Sequence, residues 1–123
     1  MKLNKFTKIA ITAMTGLLVT TAVAAKTDSQ WMDASPLPVE TQEIYADVRN
    51  NKIYTLGGLS EGAKTVLNDF LEYDAAKKLW TQLSPLPEAR HHIAVSIDGD
   101  NIYGIGGFRG GFPNWEAQRN VIV

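Results

Sequence analysis

The sequence predicts an all-β chain built from a repeated unit of several short strands. Three motifs return at one spacing of 49 residues: Trp31 returns as Trp80, Ser-Pro-Leu-Pro at 35–38 returns at 84–87, and the stretch 53–58 ending in Gly-Gly returns at 102–107. Turn-rich segments separate short apolar stretches, as they do between neighbouring strands. A shared offset across three separate motifs indicates an array of one structural unit.

Each copy begins with a predicted hairpin. In the second copy, residues 93–97 alternate, residues 98–101 form a polar turn, and the strand resumes at 102–105. In the first copy the corresponding segments are 44–48, 49–52 and 53–56. Asn and Gly suit such turns because they adopt positive φ at little cost.

Residues 66–80 could instead be an amphipathic helix, since Leu67, Phe70 and Leu71 follow a helical spacing. The matching region of the second copy ends in the β-branched run Val-Ile-Val at 121–123, which favours a strand. We therefore predict a strand at 69–73, a turn at 74–78 and a strand at 79–83. Each unit then has four strands.

A unit of about 50 residues with paired glycines, a Tyr-Asp pair and an opening Trp resembles the kelch repeat. The resemblance covers most of residues 31–123 and implies a kelch-type β-propeller, of which this chain would hold about two four-stranded blades. It also implies packing roles for the repeat residues. These are Trp31, Gly57, Gly58, Tyr73, Trp80, Gly106 and Gly107.

The chain begins with a predicted signal peptide at residues 1–25. Lys2, Lys5 and Lys8 precede an apolar run, and small residues surround position 24. An uncleaved N-terminal anchor is the alternative. Cleavage would give a periplasmic or secreted protein that has no membrane contact, because no later segment is apolar enough to span a bilayer.

Charge and cysteine content exclude several classes of function. Removing residues 1–25 leaves nine Lys and Arg against 13 Asp and Glu, a net charge of −4. An acidic chain without a basic stripe is not expected to bind nucleic acid. Cysteine is absent, which removes thiol catalysis and cysteine-bound metals. No cofactor, no metal site and no catalytic residue are predicted.

Two blades would leave apolar faces open, whereas propellers close with about four to eight blades. The second unit also stops within a strand at Val123. We therefore expect this sequence to be the N-terminal part of a longer protein whose further blades complete the ring. The strand at 31–34 would then close the last blade. A ring assembled from several two-blade chains is the alternative.

Strand alternation places four connecting segments on one rim of the propeller: 35–43, 59–68, 84–92 and 108–118. The segment 108–115 combines aromatic residues, glycines and an arginine, which suits recognition of sugars or carboxylates. Arg90, Arg109, Phe112 and Trp115 are therefore the candidate ligand-binding residues. Aromatic packing between blades and solvated arginines are the alternative.

The adjacent residues His91 and His92 are not expected to bind one metal ion, because neighbouring strand residues point to opposite faces. Asp98 and Asp100 are expected to hydrogen-bond the backbone of their turn rather than hold calcium. Neither pair is assigned a chemical role.

Two functions remain open at this point. The first is an exported binding module whose rim loops recognise a carbohydrate or a protein, and the second is a sugar-active enzyme. Exported bacterial kelch propellers resemble two groups of enzymes, the sialic acid epimerases (mutarotases) and the galactose oxidase-like copper enzymes. The second group is ranked lower for this chain, because its copper site uses a tyrosine linked to a cysteine and this sequence has no cysteine. The epimerase hypothesis predicts that Arg90 or Arg109 meets the sugar carboxylate.

Overall fold

The computed structural model describes residues 30–123. The predicted signal peptide at 1–25 lies outside the described residues. Residues 32–123 form one compact unit, and Trp31 belongs to a separate unit. In the described part of the chain no helix is long and apolar enough to cross a membrane.

The described residues fold into short antiparallel strands. These are β1 (Tyr45–Arg49), β2 (Lys52–Leu56), β3 (Leu59–Ser60), β4 (Thr65–Val66), β5 (Phe70–Asp74), β6 (Leu79–Gln82), β7 (Ala94–Asp98), β8 (Asn101–Ile105), β9 (Phe108–Arg109), β10 (Glu116–Ala117) and β11 (Val121–Ile122). The first sheet has the order β1-β2-β5-β6 and the second has the order β11-β8-β7. We call them blade 1 and blade 2.

This all-β arrangement of antiparallel sheets is consistent with the partial kelch-type β-propeller that the sequence predicts. The ambiguous stretch at 66–80 contains strands and no helix, and its strands begin or end within one residue of the expected positions. Two differences stand out. Blade 2 has three strands among the described residues. In addition, the connecting segments 59–68 and 108–118 each contain a small hairpin, β3–β4 in the first and β9–β10 in the second.

Local sequence explains the turns. Asn50 and Asn51 join β1 to β2 with φ values of 50° and 62°, a conformation that asparagine tolerates well. Gly99 takes φ 56° in the matching turn of blade 2. Between β5 and β6, the Asp74 carboxylate accepts hydrogen bonds from the N–H groups of Ala76 and Lys77, both at 3.0 Å. The turn at 75–78 is fixed by this side chain.

The expected strand at 31–34 is not formed. Residues 31–34 have no strand assignment, and the Trp31 side chain is fully exposed. A strand needs a neighbour for its backbone hydrogen bonds, and no strand of residues 30–123 pairs with this segment. Packing does involve the next residues, because the Trp80 indole N–H donates to the Ser35 carbonyl at 3.0 Å.

The main core lies between the two blades. Leu56 of blade 1 packs with Leu86 and Ile93 from the segment that leads into blade 2. Partly buried residues surround these three: Phe70, Val95, Ile102 and Ile122. Nearby, the Asp47 carboxylate of β1 accepts a hydrogen bond from the Ile97 N–H of β7 at 2.9 Å. The edge strands β1 and β7 are therefore joined by a side chain rather than by a ladder of backbone hydrogen bonds.

Neither Asp98 nor Asp100 forms the expected hydrogen bond to the backbone of its turn, and Asp100 instead forms an ion pair with Arg49 of the neighbouring blade. A long arginine on β1 reaches the tip of the β7–β8 hairpin, which competes with local contacts of a flexible exposed carboxylate. The hairpin tips of the two blades are linked in this way.

The repeated glycines are required by close backbone approach. A Cβ atom on Gly57 would overlap the Arg90 carbonyl, and one on Gly107 would lie 2.6 Å from the His91 carbonyl oxygen. Gly58 has φ 115°, and its N–H donates to the Arg90 carbonyl at 2.8 Å. The paired glycines therefore let the entry segment of blade 2 lie directly against the end of β2.

Candidate functional site

Four connecting segments meet at one rim of the unit, as strand alternation predicts. The Gln42 and Leu59 backbones form an isolated antiparallel bridge, and His91 and Phe108 form the equivalent bridge one repeat later. The Arg90 N–H donates to the Leu67 carbonyl at 3.0 Å, which connects the two bridges. Residues 35–43, 59–68, 84–92 and 108–118 thus form one continuous surface.

The loop between β9 and β10 docks on blade 1. The Phe112 N–H donates to the Ala63 carbonyl at 2.9 Å, and a Cβ atom on Gly111 would overlap the Lys64 carbonyl. A Cβ atom on Gly110 would overlap the Asn114 carbonyl. Only glycine at 110 and 111 allows the loop to fold this tightly and to approach the β3–β4 hairpin.

Aromatic side chains collect around this loop. We call the rings of Tyr45, His91, His92, Phe108, Phe112 and Trp115 the rim cluster. Trp115 lies 5.0 Å from His91, 5.3 Å from His92 and 5.9 Å from Phe108 between ring centroids. Phe112 is 69% exposed and Trp115 is 43% exposed. The cluster is therefore packed at its base and presents apolar surface at its edge.

The two candidate arginines lie in different environments. Arg90 is fully buried, and its guanidinium donates to the Gly106 carbonyl at 3.1 Å and to the Asn120 side chain and Glu88 at 2.8 Å. A buried cation needs such partners, and they tie the Arg90 side chain to blade 2, while its backbone bonds Gly58 and Leu67 beside blade 1. Contact with a ligand would require breaking these bonds.

Arg109 remains at the surface, with 41% of its side chain exposed. Its guanidinium lies between two carboxylates, 3.4 Å from Glu88 and 3.3 Å from Glu116. The hydrogen bond from Arg90 is the main reason that the pKa of Glu88 is lowered, with the charge of Arg109 as a further cause. Arg109 is thus held but accessible, beside the rim cluster.

The sequence argument about the histidine pair is wrong in its geometry. His92 has φ 53°, so the chain turns here instead of continuing as a strand, and the two rings face each other. Their Nδ1 atoms are 2.7 Å apart. His91 Nε2 lies 3.1 Å from the Gly110 carbonyl oxygen, and His92 Nε2 lies 2.9 Å from the Glu43 carboxylate.

Sequence reasoning missed this chain of contacts, although the repeat offered a signal. Glu43 and His92 are 49 residues apart and so occupy equivalent positions of successive units. The His92 N–H donates to the Glu43 carbonyl at 3.2 Å, which brings the equivalent positions side by side. Within residues 30–123 no group of three or more His, Cys, Asp or Glu side chains could hold a metal ion.

Among the structural repeat residues, Tyr73 and Trp80 are opposed in register on β5 and β6. Their ring centroids are 4.9 Å apart, and Tyr73 is buried. They lie away from the rim cluster and stabilise the outer part of blade 1.

Comparison with known protein families matches residues 46–87 to the Kelch motif. The match spans the strands of blade 1 and ends in the segment that enters blade 2. A search of curated proteins found no match to this chain.

Proposed function

We propose that this chain is a non-catalytic module that binds a protein partner through its rim loops, and the kelch motif at residues 46–87 supports the proposal. Kelch domains commonly mediate protein interactions. The observation that carries the proposal is the exposure of Phe112 and Trp115 on a loop anchored at both glycines.

Exposed aromatic residues on a rigid loop are suited to binding. They supply large apolar area and lose little conformational freedom on association, which is why Trp and Tyr dominate binding energy in protein interfaces. The loop is held to blade 1 through Ala63 and Lys64, so its shape exists before the partner arrives. Arg109 adds a held cation at the edge of the aromatic surface.

A carbohydrate ligand is the second candidate, favoured by one feature of the same surface. The Glu43 carboxylate is 42% exposed and binds His92, whose ring lies 5.3 Å from Trp115. A sugar ring could stack on Trp115 while one of its hydroxyl groups donates to the Glu43 carboxylate.

The sugar epimerase alternative has less support. It requires an arginine free to meet a sugar carboxylate, and the Arg90 guanidinium is buried and bonded to three groups. Arg109 would have to perform that role alone. Export to the periplasm or the medium remains part of the proposal and depends on residues 1–25.

Binding to a displayed peptide library and to a glycan array tests the proposal. The full chain should select ligands from one of the two, and Trp115→Ala or Phe112→Ala should weaken that binding about tenfold or more. Leu79→Ala is the matched control, since Leu79 is also exposed, at 57%, but lies at the start of β6, outside the rim cluster. Selected peptides favour the protein partner, whereas selected glycans favour the second candidate.

Either of two results would overturn the binding proposal. In the first, neither library yields a ligand. In the second, the selected ligands bind the Trp115 and Phe112 variants as tightly as they bind the unchanged protein.

A further inference from the structure

A chain of three hydrogen bonds crosses the base of the rim cluster. It runs from the Glu43 carboxylate to His92 Nε2 at 2.9 Å, from His92 Nδ1 to His91 Nδ1 at 2.7 Å, and from His91 Nε2 to the Gly110 carbonyl at 3.1 Å. Its two ends are acceptors on different blades. The chain therefore ties the segment before β1 to the loop that carries Phe112 and Trp115.

The number of protons on the two imidazole rings decides whether all three hydrogen bonds can form together. Three hydrogen bonds between two terminal acceptors need three protons on the four ring nitrogens. Two neutral histidines carry two protons, so at one of the three contacts two acceptor atoms face each other without a proton between them. Two fully protonated histidines carry four, which puts two N–H groups against each other at the Nδ1 contact. Only the state with one positive charge satisfies all three contacts.

The surroundings place that charge on His92. His91 must donate from Nε2, because the Gly110 carbonyl is an acceptor only, and its buried ring then accepts at Nδ1. Burial is the main reason that the pKa of His91 is lowered, so the neutral form of His91 is favoured in the folded chain. His92 donates at both nitrogens and so carries the charge beside the Glu43 carboxylate.

The charged and titratable groups around His92 are few. Glu43 approaches from the segment before β1, the Tyr45 ring lies 6.4 Å away on β1, and His91 precedes it in the chain. The nearby rings of Phe108 and Trp115 carry no charge. Arg109 on β9 is engaged by Glu88 and Glu116, and Arg90 by Glu88.

Backbone strain marks the same pair of residues. Glu43 has φ 54° and His92 has φ 53°, a region that non-glycine residues enter at a cost of about 1–2 kcal/mol each. Such strain persists where other contacts hold it and is concentrated at functional sites. Here the repeat-equivalent residues face each other through both their backbones and their side chains.

We propose that the singly protonated Glu43–His92–His91 chain fixes the loop at 110–115, so that ligand binding at Phe112 and Trp115 is strongest within a limited pH range. Loss of one proton breaks one of the three contacts, and gain of one breaks the Nδ1 contact. The effect on ligand binding rests on the proposed function, whereas the protonation state of the chain does not.

Nitrogen NMR of the imidazole rings in the full chain tests the first part without any ligand. Over some range of pH, both ring nitrogens of His92 should show protonated shifts while His91 is protonated at Nε2 only. The indole N–H signal of Trp115 should move at the same pH values at which either histidine changes state. Absence of this protonation state at every pH, or a Trp115 signal that does not change when the histidines titrate, would overturn the proposal.

Glu43→Gln provides a sharper test, because a glutamine side chain can donate its own proton to a neutral His92. The third proton then comes from the amide, and the chain should persist when both histidines are neutral. We expect the change in the Trp115 signal on the alkaline side to disappear, while the change on the acid side remains. Asp98→Asn removes an exposed carboxylate outside the rim cluster and should leave both changes in place.

A Glu43→Gln protein that keeps the alkaline change would contradict the proton count. With a ligand selected as described above, affinity should fall about tenfold on both sides of the optimum, and only on the acid side in Glu43→Gln. A flat affinity profile alongside the expected NMR changes would overturn the effect on binding alone. Failure of Phe112→Ala to weaken binding would instead count against the proposed function.

Discussion

Lys78 ends the turn between β5 and β6 in a conformation that lysine rarely adopts, with φ 54°. Its side chain is exposed, so replacing it by glycine loses no buried contact and changes only the conformational freedom of the backbone. Lys78→Gly should therefore raise the free energy of unfolding by about 1 kcal/mol, since glycine enters this region without the steric cost. Urea denaturation followed by circular dichroism measures the change.

The control for Lys78 lies in the same turn. Ala76 is also exposed but is not in the left-handed region, so Ala76→Gly should lower stability by about 0.5–1 kcal/mol through chain entropy alone. Equal destabilisation by both variants would show that the Lys78 backbone is not strained.

Single residues were the level at which the sequence was least informative about the site. Arg90 and Arg109 look alike as exposed-loop cations, yet one is buried between blades and the other lies at the surface. Burial depends on which segments meet, and that depends on the tertiary path of the chain. The His91–His92 contact was missed because it depends on one positive φ value, which strand alternation does not anticipate.

At the level of strands and hairpins the sequence predicted most of what forms. Alternation and polar turns are local signals, and the 49-residue spacing carries the assignment from one copy to the other; together they locate the strands of both blades within one or two residues. The β3–β4 and β9–β10 hairpins were not predicted, because two-residue strands carry no periodicity. The segment at 31–34 was predicted as a strand from the repeat alone, but strand formation also requires a neighbouring strand.

Paired substitutions can isolate the close approach between blades. Gly57 and Gly99 have nearly equal φ values of 59° and 56°, but a Cβ atom overlaps the Arg90 carbonyl at the first and meets nothing within 4 Å at the second. Both alanine variants carry the same backbone strain. We therefore expect Gly57→Ala to cost about 1–3 kcal/mol more than Gly99→Ala in chemical denaturation, because the backbone of Arg90 must move.

Equal costs for the two glycine variants would contradict the requirement for close approach. A second readout of Gly57→Ala is the rim surface itself. The Gly58 N–H bond to the Arg90 carbonyl would lengthen, so the amide of Gly58 should exchange with solvent faster than it does in Gly99→Ala.

Across the whole unit of residues 32–123, stability depends on a core to which both blades contribute. Leu56 comes from blade 1, Ile102 from blade 2, and the fully buried Ile93 from the segment between them. The rim cluster is built on the same segment, since His91 and His92 immediately precede Ile93. A change in this core should therefore reach both blades and the candidate site together.

Ile93→Ala tests that coupling, because it removes side-chain volume at a position that has no access to solvent. We expect unfolding to become easier by about 2–5 kcal/mol, the usual cost of a buried cavity. Fluorine-labelled tryptophans report on each blade separately, Trp80 for blade 1 and Trp115 for blade 2. Both signals should shift to the same lower denaturant midpoint, whereas Val48→Ala, at a side chain that is 62% exposed, should change neither by more than about 0.5 kcal/mol. If the Trp115 midpoint falls while that of Trp80 stays, the blades unfold independently and the shared core does not couple them.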